Sequence, residues 1–136
     1  MGKYFTLKEM CKSATAERLG IGNAPTEEVA VNIDRLINNV LDPVREKIGE
    51  PIIVNSGYRS PKLNKAVGGV STSQHVKGEA ADITLRDKTR NRKLYDAVVS
   101  LGVYDQVIWE KGCDAYPDWI HVSYRTPLRK QRLRIR

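Results

Sequence analysis

The sequence predicts an α+β domain, a small antiparallel sheet with helices packed around it. Three observations predict it: a long apolar stripe at helical spacing in the first third, four short apolar segments of strand character after it, and one further amphipathic helix standing among those strands. No internal repeat and no low-complexity linker divides the chain, so residues 1–136 are expected to form a single domain.

The elements follow in order. Thr6-Leu7-Lys8-Glu9 has the form of a capping box and opens a short helix, and Gly20, Gly22, Asn23 and Pro25 punctuate the loop after it. Thr26-Glu27-Glu28 starts the longest helix, with acidic side chains near its positive end. Val29, Ile33, Leu36, Ile37, Val40, Leu41, Val44 and Ile48 then recur every three or four residues and mark its buried stripe; Pro43 interrupts it and Gly49 ends it. Ile52-Ile53-Val54 reads as a buried strand running into an Asn55-Ser56-Gly57 turn. Ser60-Pro61 is a helix start and Gly68-Gly69 a stop. Ala80 to Leu85 is a second strand, Thr89 to Leu101 a helix with Leu94, Ala97, Val98 and Leu101 inward, and Asp105 to Glu110 and Trp119 to Tyr124 complete the set.

Composition excludes several classes. The 40% hydrophobic and 29% charged residues are an ordinary globular balance, and no apolar run is long enough to span a bilayer. The residues after Met1 hold no apolar stretch of the kind a secretory leader needs, so synthesis in the cytoplasm without a signal peptide is expected. Cys11 and Cys113 are too few and too far apart for a disulfide framework, and neither has the paired spacing of a zinc ligand, so both read as free thiols. The net charge of +7 favours an anionic partner. Much of the excess lies in the final segment, where Arg132, Arg134 and Arg136 alternate with Leu133 and Ile135; this pattern fits a charge-guarded edge strand as well as a binding tail.

The chemistry concentrates around the only two histidines, His75 and His121. Asp82 sits in Ala80-Ala81-Asp82-Ile83-Thr84-Leu85, where a carboxylate on an apolar strand is costly unless it meets a cation or several donors. The Lys77-Gly78 turn can fold His75 back towards it, and His121 lies on another apolar strand, sharing a face with Trp119 and Ser123. Two imidazoles and one carboxylate make a tetrahedral zinc site with its fourth position open to water. Spacing and periodicity leave that reading level with a metal-free, hydrogen-bonded His–Asp pair. Trp109 and Trp119 read as core and wall.

Taken together, Ser73-x-His75-x-x-Gly78-x-Ala80-x-Asp82 and Trp119-x-His121 resemble the paired signature of the M15 peptidases, the zinc D-alanyl-D-alanine carboxypeptidase and phage endolysin family. Ser56-Gly57-Tyr58-Arg59-Ser60-Pro61, Leu63-Asn64 and Val67-Gly68-Gly69 extend the likeness, which runs from about Ile53 to Ser123. The resemblance implies the hedgehog/DD-peptidase-like zinc fold and one zinc ion held by His75, Asp82 and His121. It also implies Asp118 as general base, Arg59 as the grip on a substrate carboxylate or carbonyl oxygen, and Ser73 near the substrate. Position 118 faces away from position 121 in a straight strand, so the role of Asp118 requires a bend, which Pro117 favours. Asp114 and Glu110 are weaker candidates for the base, and Gln106 joins Glu110 as a residue that can reach the cleft.

The implied function is hydrolysis of a peptidoglycan stem peptide, at D-Ala-D-Ala or at an internal L-Ala-D-Glu bond, by a monomer that acts on the cell wall, with phage-type release as one route outward. Rival readings are a wall-binding module that keeps the metal without catalysis, and a nucleic-acid binder prompted by the charge. The sequence shows no zinc knuckle, RNP-like strand or clear helix-turn-helix, so no specific nucleic-acid partner is expected.

Overall fold

The computed structural model describes residues 2–136. Helices α1 (Leu7–Met10) and α2 (Ala14–Leu19) open the chain, each capped by a hydroxyl: Thr6 accepts from the Glu9 amide at 3.1 Å and Ser13 from the Ala16 amide at 3.1 Å. The sequence reading anticipated only the first of these two turns.

Helix α3 (Glu27–Leu36) starts at the Thr26 cap, and α4 (Asp42–Ile48) ends at Gly49 in the left-handed conformation. Between them the chain stays helical but widens into a π segment, Ile37–Leu41, directly ahead of Pro43. Proline lacks the amide that would bond back one turn, and its ring crowds the carbonyl four residues earlier; a widened turn accommodates both. The apolar stripe survives the irregularity: Ile33, Leu36, Ile37, Val40, Leu41, Val44 and Ile48 are all buried.

Strand β1 (Ile52–Ser56) leads to α5 (Pro61–Ala66), and after a long turn come β2 (Ala80–Leu85), α6 (Asn91–Leu101), β3 (Gln106–Glu110), β4 (Trp119–Ser123) and β5 (Gln131–Ile135). The sheet order is β1-β2-β4-β3-β5. The first four strands pair antiparallel, but β5 runs parallel to β3, so the sheet is mixed rather than purely antiparallel. The segment 124–130 carries the chain from the end of β4 back to the start of β3, where the Gln131 amide bonds the Asp105 carbonyl at 2.9 Å. A strand that enters beside the start of its neighbour can only run alongside it. The charge-guarded edge reading of the C-terminal segment holds, since β5 closes one edge with every residue exposed.

The two faces of the sheet divide the labour. Ala81, Ile83, Leu85, Val107, Ile120 and Val122 point into the core with Leu94, Ala97 and Val98 of α6 and the α3–α4 stripe. The alternate positions, Asp82, Gln106, Ile108, Glu110, Trp119 and His121, face a cleft. Buried Asn91 ties the core side together: its side chain accepts from the Leu85 amide at 2.8 Å and donates to the Pro117 and Asp118 carbonyls at 3.2 and 3.0 Å. One residue at the start of α6 thereby fixes the end of β2 and the entry to β4. Among the described residues, no helix is long and apolar enough to cross a membrane.

At the other end of the sheet, Asp105 is buried and takes two side-chain bonds from Arg129, at 2.9 and 2.6 Å, and one from Gln74 at 2.9 Å. The Arg129 hydrogen bond, opposed by burial and helped by Gln74, pulls its carboxyl down to about 2 from an ordinary 3.8. A depressed folded-state value contributes stability that is complete above the unfolded value and lost as pH falls through the folded one. Asp105→Asn is therefore expected to cost about 2 kcal/mol at neutral pH, with the gap to wild type closing between pH 4 and pH 2 in urea titrations.

Candidate metal centre and its cleft

His75 is placed by a neighbourhood built for it. The Gly78 turn, at φ +75°, bends the chain from His75 into β2, against the Val29 carbonyl, where a side chain would have no room. The buried His75 ring donates from Nδ1 to the Gly57 carbonyl at 2.7 Å, and the His75 carbonyl accepts from the Arg59 amide at 3.1 Å. Gly57 itself is pressed against α1: a Cβ there would stand 2.3 Å from the Met10 carbonyl oxygen, while the Tyr58 amide bonds that oxygen at 2.8 Å. Asn23 braces the same turn, donating to the Cys11 and Tyr58 carbonyls and accepting from the Ser60 amide. The N-terminal helices thus hold the segment that orients His75. Gly57→Ala is expected to cost about 1–3 kcal/mol by overpacking. It is also expected to weaken metal binding by roughly 10–100-fold through the displaced acceptor, read by thermal unfolding and a competitive zinc titration.

The other two groups come from the sheet. Asp82 on β2 stands in register with His121 on β4, and His121 with Ile108 on β3. His121 Nδ1 lies 3.1 Å and His75 Nε2 3.2 Å from the same oxygen of Asp82. The imidazoles meet edge to face, 5.1 Å between centroids. One ligand atom from each of the three residues lies within 4.8 Å of the others.

The donor set fits a divalent metal. With Nδ1 engaged by the Gly57 carbonyl, His75 meets the Asp82 oxygen through Nε2, and that meeting is favourable only with a proton or a cation between the two atoms. Burial alone would raise the Asp82 carboxyl, yet the hydrogen bonds and charge of His121 and His75 outweigh it and hold the group well below the usual carboxylate range. A carboxylate kept ionised beside two nitrogens is a good ligand set for zinc.

The three groups lie in a cleft of about 570 Å³. Arg59 and Ser73 line it: Arg59 reaches the Ser73 hydroxyl at 3.4 Å, Ser73 also accepts from the His75 amide, and the Arg59 Nε is buried with no partner. Trp119 forms a wall, and Trp109 is buried on the opposite face. Asp118 is brought near but not in. Asp118 sits at a bend just before β4, as its expected role requires, with its amide bonding the Glu110 carbonyl at 3.0 Å; its carboxylate meets Lys88 at 3.1 Å and is not among the residues that line the cleft. Glu110, by contrast, lines the cleft, and burial, with the charge of Asp82, pushes its carboxyl above the ordinary range. Asp114 pairs with Arg134 away from the cleft.

A family model described as Peptidase M15 matches residues 3–123. The chain belongs to the peptidase M15 family. That match takes in the N-terminal helices as well as strands β1 to β4, which agrees with the part of those helices in bracing His75. The chain is also similar to the zinc D-Ala-D-Ala carboxypeptidase of Streptomyces albus G, 48% identical over 44 residues. This stretch is 32% of the M15 chain described here and spans 17% of the length of that relative. Lys77, Gln74, Arg125 and Arg129 also line the cleft of this family member, and sequence reading passed over all four. The pairing of Asp82 with two imidazoles was visible as an apolar strand carrying a carboxylate; the cluster of cations had no such local signal. Cys11 and Cys113 are free.

Proposed function

We propose that the chain is a zinc-dependent peptidase that hydrolyses amide bonds in peptidoglycan stem peptides, with His75, Asp82 and His121 as the metal ligands. The observation that carries this reading is the convergence of those three ligand atoms, one braced turn and two paired strands, at the floor of an open cleft. Family membership and the name of the Streptomyces relative support the metal and the substrate class.

A zinc ion held there would acidify water and polarise the scissile carbonyl. The protein's own groups supply the rest. Two carboxylates compete for the role of general base. Asp118 has it by family pattern, and Glu110 by geometry, since it opens into the cleft and its raised carboxyl is suited to taking a proton and passing it to the leaving amine. We assign the role to Glu110. Arg59, with a buried Nε lacking a partner and the Ser73 hydroxyl steadying the far end of its guanidinium, is placed to bind a substrate carboxylate or carbonyl oxygen. Ser73 positions Arg59.

The test is mass spectrometry of stem pentapeptide and of whole peptidoglycan after incubation with the protein, with and without a chelator. Chelator-sensitive products are expected, and their masses name the bond cut, D-Ala-D-Ala or an internal one. Metal binding without product from either substrate would overturn the peptidase reading in favour of a wall-binding module.

A further inference from the structure

The cleft is electrically polarised along β4. At one end stand Glu110 and Trp119, which face each other in register; in the middle lie Asp82 and His121; at the other end is a group of cations. That cationic end is made by Lys77, Arg125 and Arg129, with Gln74 and Gln106 in the same lining, the former bonded to Asp105 and the latter to Gln131. Gln106 is two residues from Ile108, the partner of His121, so the cationic end begins about 7 Å from the metal ligands, the length of two residues of an extended peptide.

These cations are not all hydrogen-bonded within the fold, although Arg125, Lys77 and Arg129 each bear electrostatically on the Glu79 carboxylate. Arg129 is held by Asp105 through Nε and one terminal nitrogen, leaving its other terminal nitrogen without a bond. The Lys77 ammonium and Arg125 guanidinium, both on exposed residues, have no hydrogen-bond or ion-pair partner among the described residues. Glu79 is the remaining anion of this region. It lines a separate pocket with Arg125, and its Oε1 is buried without a hydrogen bond. Asp105 fixes Gln74 as well as Arg129, so part of the cationic end is rigid before anything binds.

We infer that this end of the cleft is a recognition site for a second substrate carboxylate, about two residues from the bond that is cut, with Arg125 and Lys77 as specificity-determining residues. Arg59 lines the same cleft beside Ser73, with its Nε unpartnered, and serves a different oxygen of the same substrate. A guanidinium and an ammonium beside a fixed arginine suit a carboxylate better than a carboxamide, which carries no charge and offers one oxygen instead of two. This inference rests on the peptide-substrate reading above.

The test compares a synthetic stem pentapeptide whose internal carboxylates are free with the same peptide carrying carboxamides there, the C-terminal carboxylate intact in both. Wild type is expected to prefer the free acid by about tenfold or more in kcat/KM, carried by KM. In Arg125→Gln/Lys77→Gln the ratio falls towards one, through loss on the acidic peptide. Both peptides are also titrated by calorimetry against zinc-free protein, where the same preference and the same loss are expected in Kd. A wild-type ratio near one in both assays, or equal losses on both peptides in the variant, overturns the inference and leaves the peptidase reading standing. A binding preference that the variant abolishes, without cleavage of either peptide or of whole peptidoglycan, sinks the peptidase reading and keeps the carboxylate site as part of a wall-binding surface.

Discussion

Glu110→Gln is expected to lower kcat by on the order of 10²-fold or more while zinc stays bound, whereas Asp118→Asn leaves the rate close to wild type. The expectation follows from where the two carboxylates point. Glu110 shares the cleft face with His121, two register positions along β3 and β4, while Asp118, at the bend before β4, is occupied by Lys88 and does not line the cleft. Loss of the exposed Lys88 contact in Asp118→Asn should cost under about 1 kcal/mol of stability. The pH profile separates the two assignments further. A base must be ionised to act, and burial beside Asp82 raises the Glu110 carboxyl. Activity should therefore rise with pH along an acid limb set by this carboxyl, raised by burial and opposed by the bound cation, and Glu110→Gln should remove that limb. Full loss of rate in Asp118→Asn, with the limb intact in Glu110→Gln, would return the role to Asp118 and imply that the entry to β4 rearranges when substrate binds.

His121→Ala is expected to abolish both activity and metal binding. Loss of a direct ligand should exceed the roughly 10–100-fold that loss of an outer partner costs, so metal measured by mass spectrometry after dialysis should fall to background. Asp82 is also left with one imidazole where it had two, in a strand with little access to water. Breaking a buried pair costs about 3–5 kcal/mol, and because His75 still engages the same oxygen the loss should sit near the lower bound. Circular dichroism would show a folded but less stable protein. A variant that keeps stoichiometric zinc would exclude His121 as a ligand and point to the metal-free hydrogen-bonded pair that spacing alone left open.

Much of this protein is local in its sequence. Thr6, Ser13, Thr26 and Ser60 each hold a helix start with their own hydroxyl, a bond that needs only three residues of chain. The buried stripe of α3 and α4, the Gly49 stop and the alternation that puts Asp82 and His121 on one side of their strands are likewise periodic facts of the chain. The family could be recognised for the same reason, because its motif residues lie in short, ordered runs around His75, Asp82 and His121.

What needed the tertiary structure was everything decided by which strand lies beside which. The parallel direction of β5 depends on where segment 124–130 returns, and no periodicity records that. Pro43 is visible in the sequence, but that the helix widens rather than breaks depends on the core gripping the stripe on both sides of it. The part of Gly57 in holding His75, and of Met10 in holding Gly57, joins residues far apart in the chain through backbone atoms that carry no side-chain signature. The meeting of Lys77, Arg125 and Arg129 at one end of the cleft is of the same kind, since each cation alone is one among the 23 lysines and arginines of a basic chain. The sequence by itself determined the helices, the faces of the strands and the three candidate ligands, because propensity, capping and alternation act over a few residues. Only the folded sheet decided which carboxylate opens towards the ligands and which charges share the cleft, because strand register and loop return are settled by packing between segments distant in the chain.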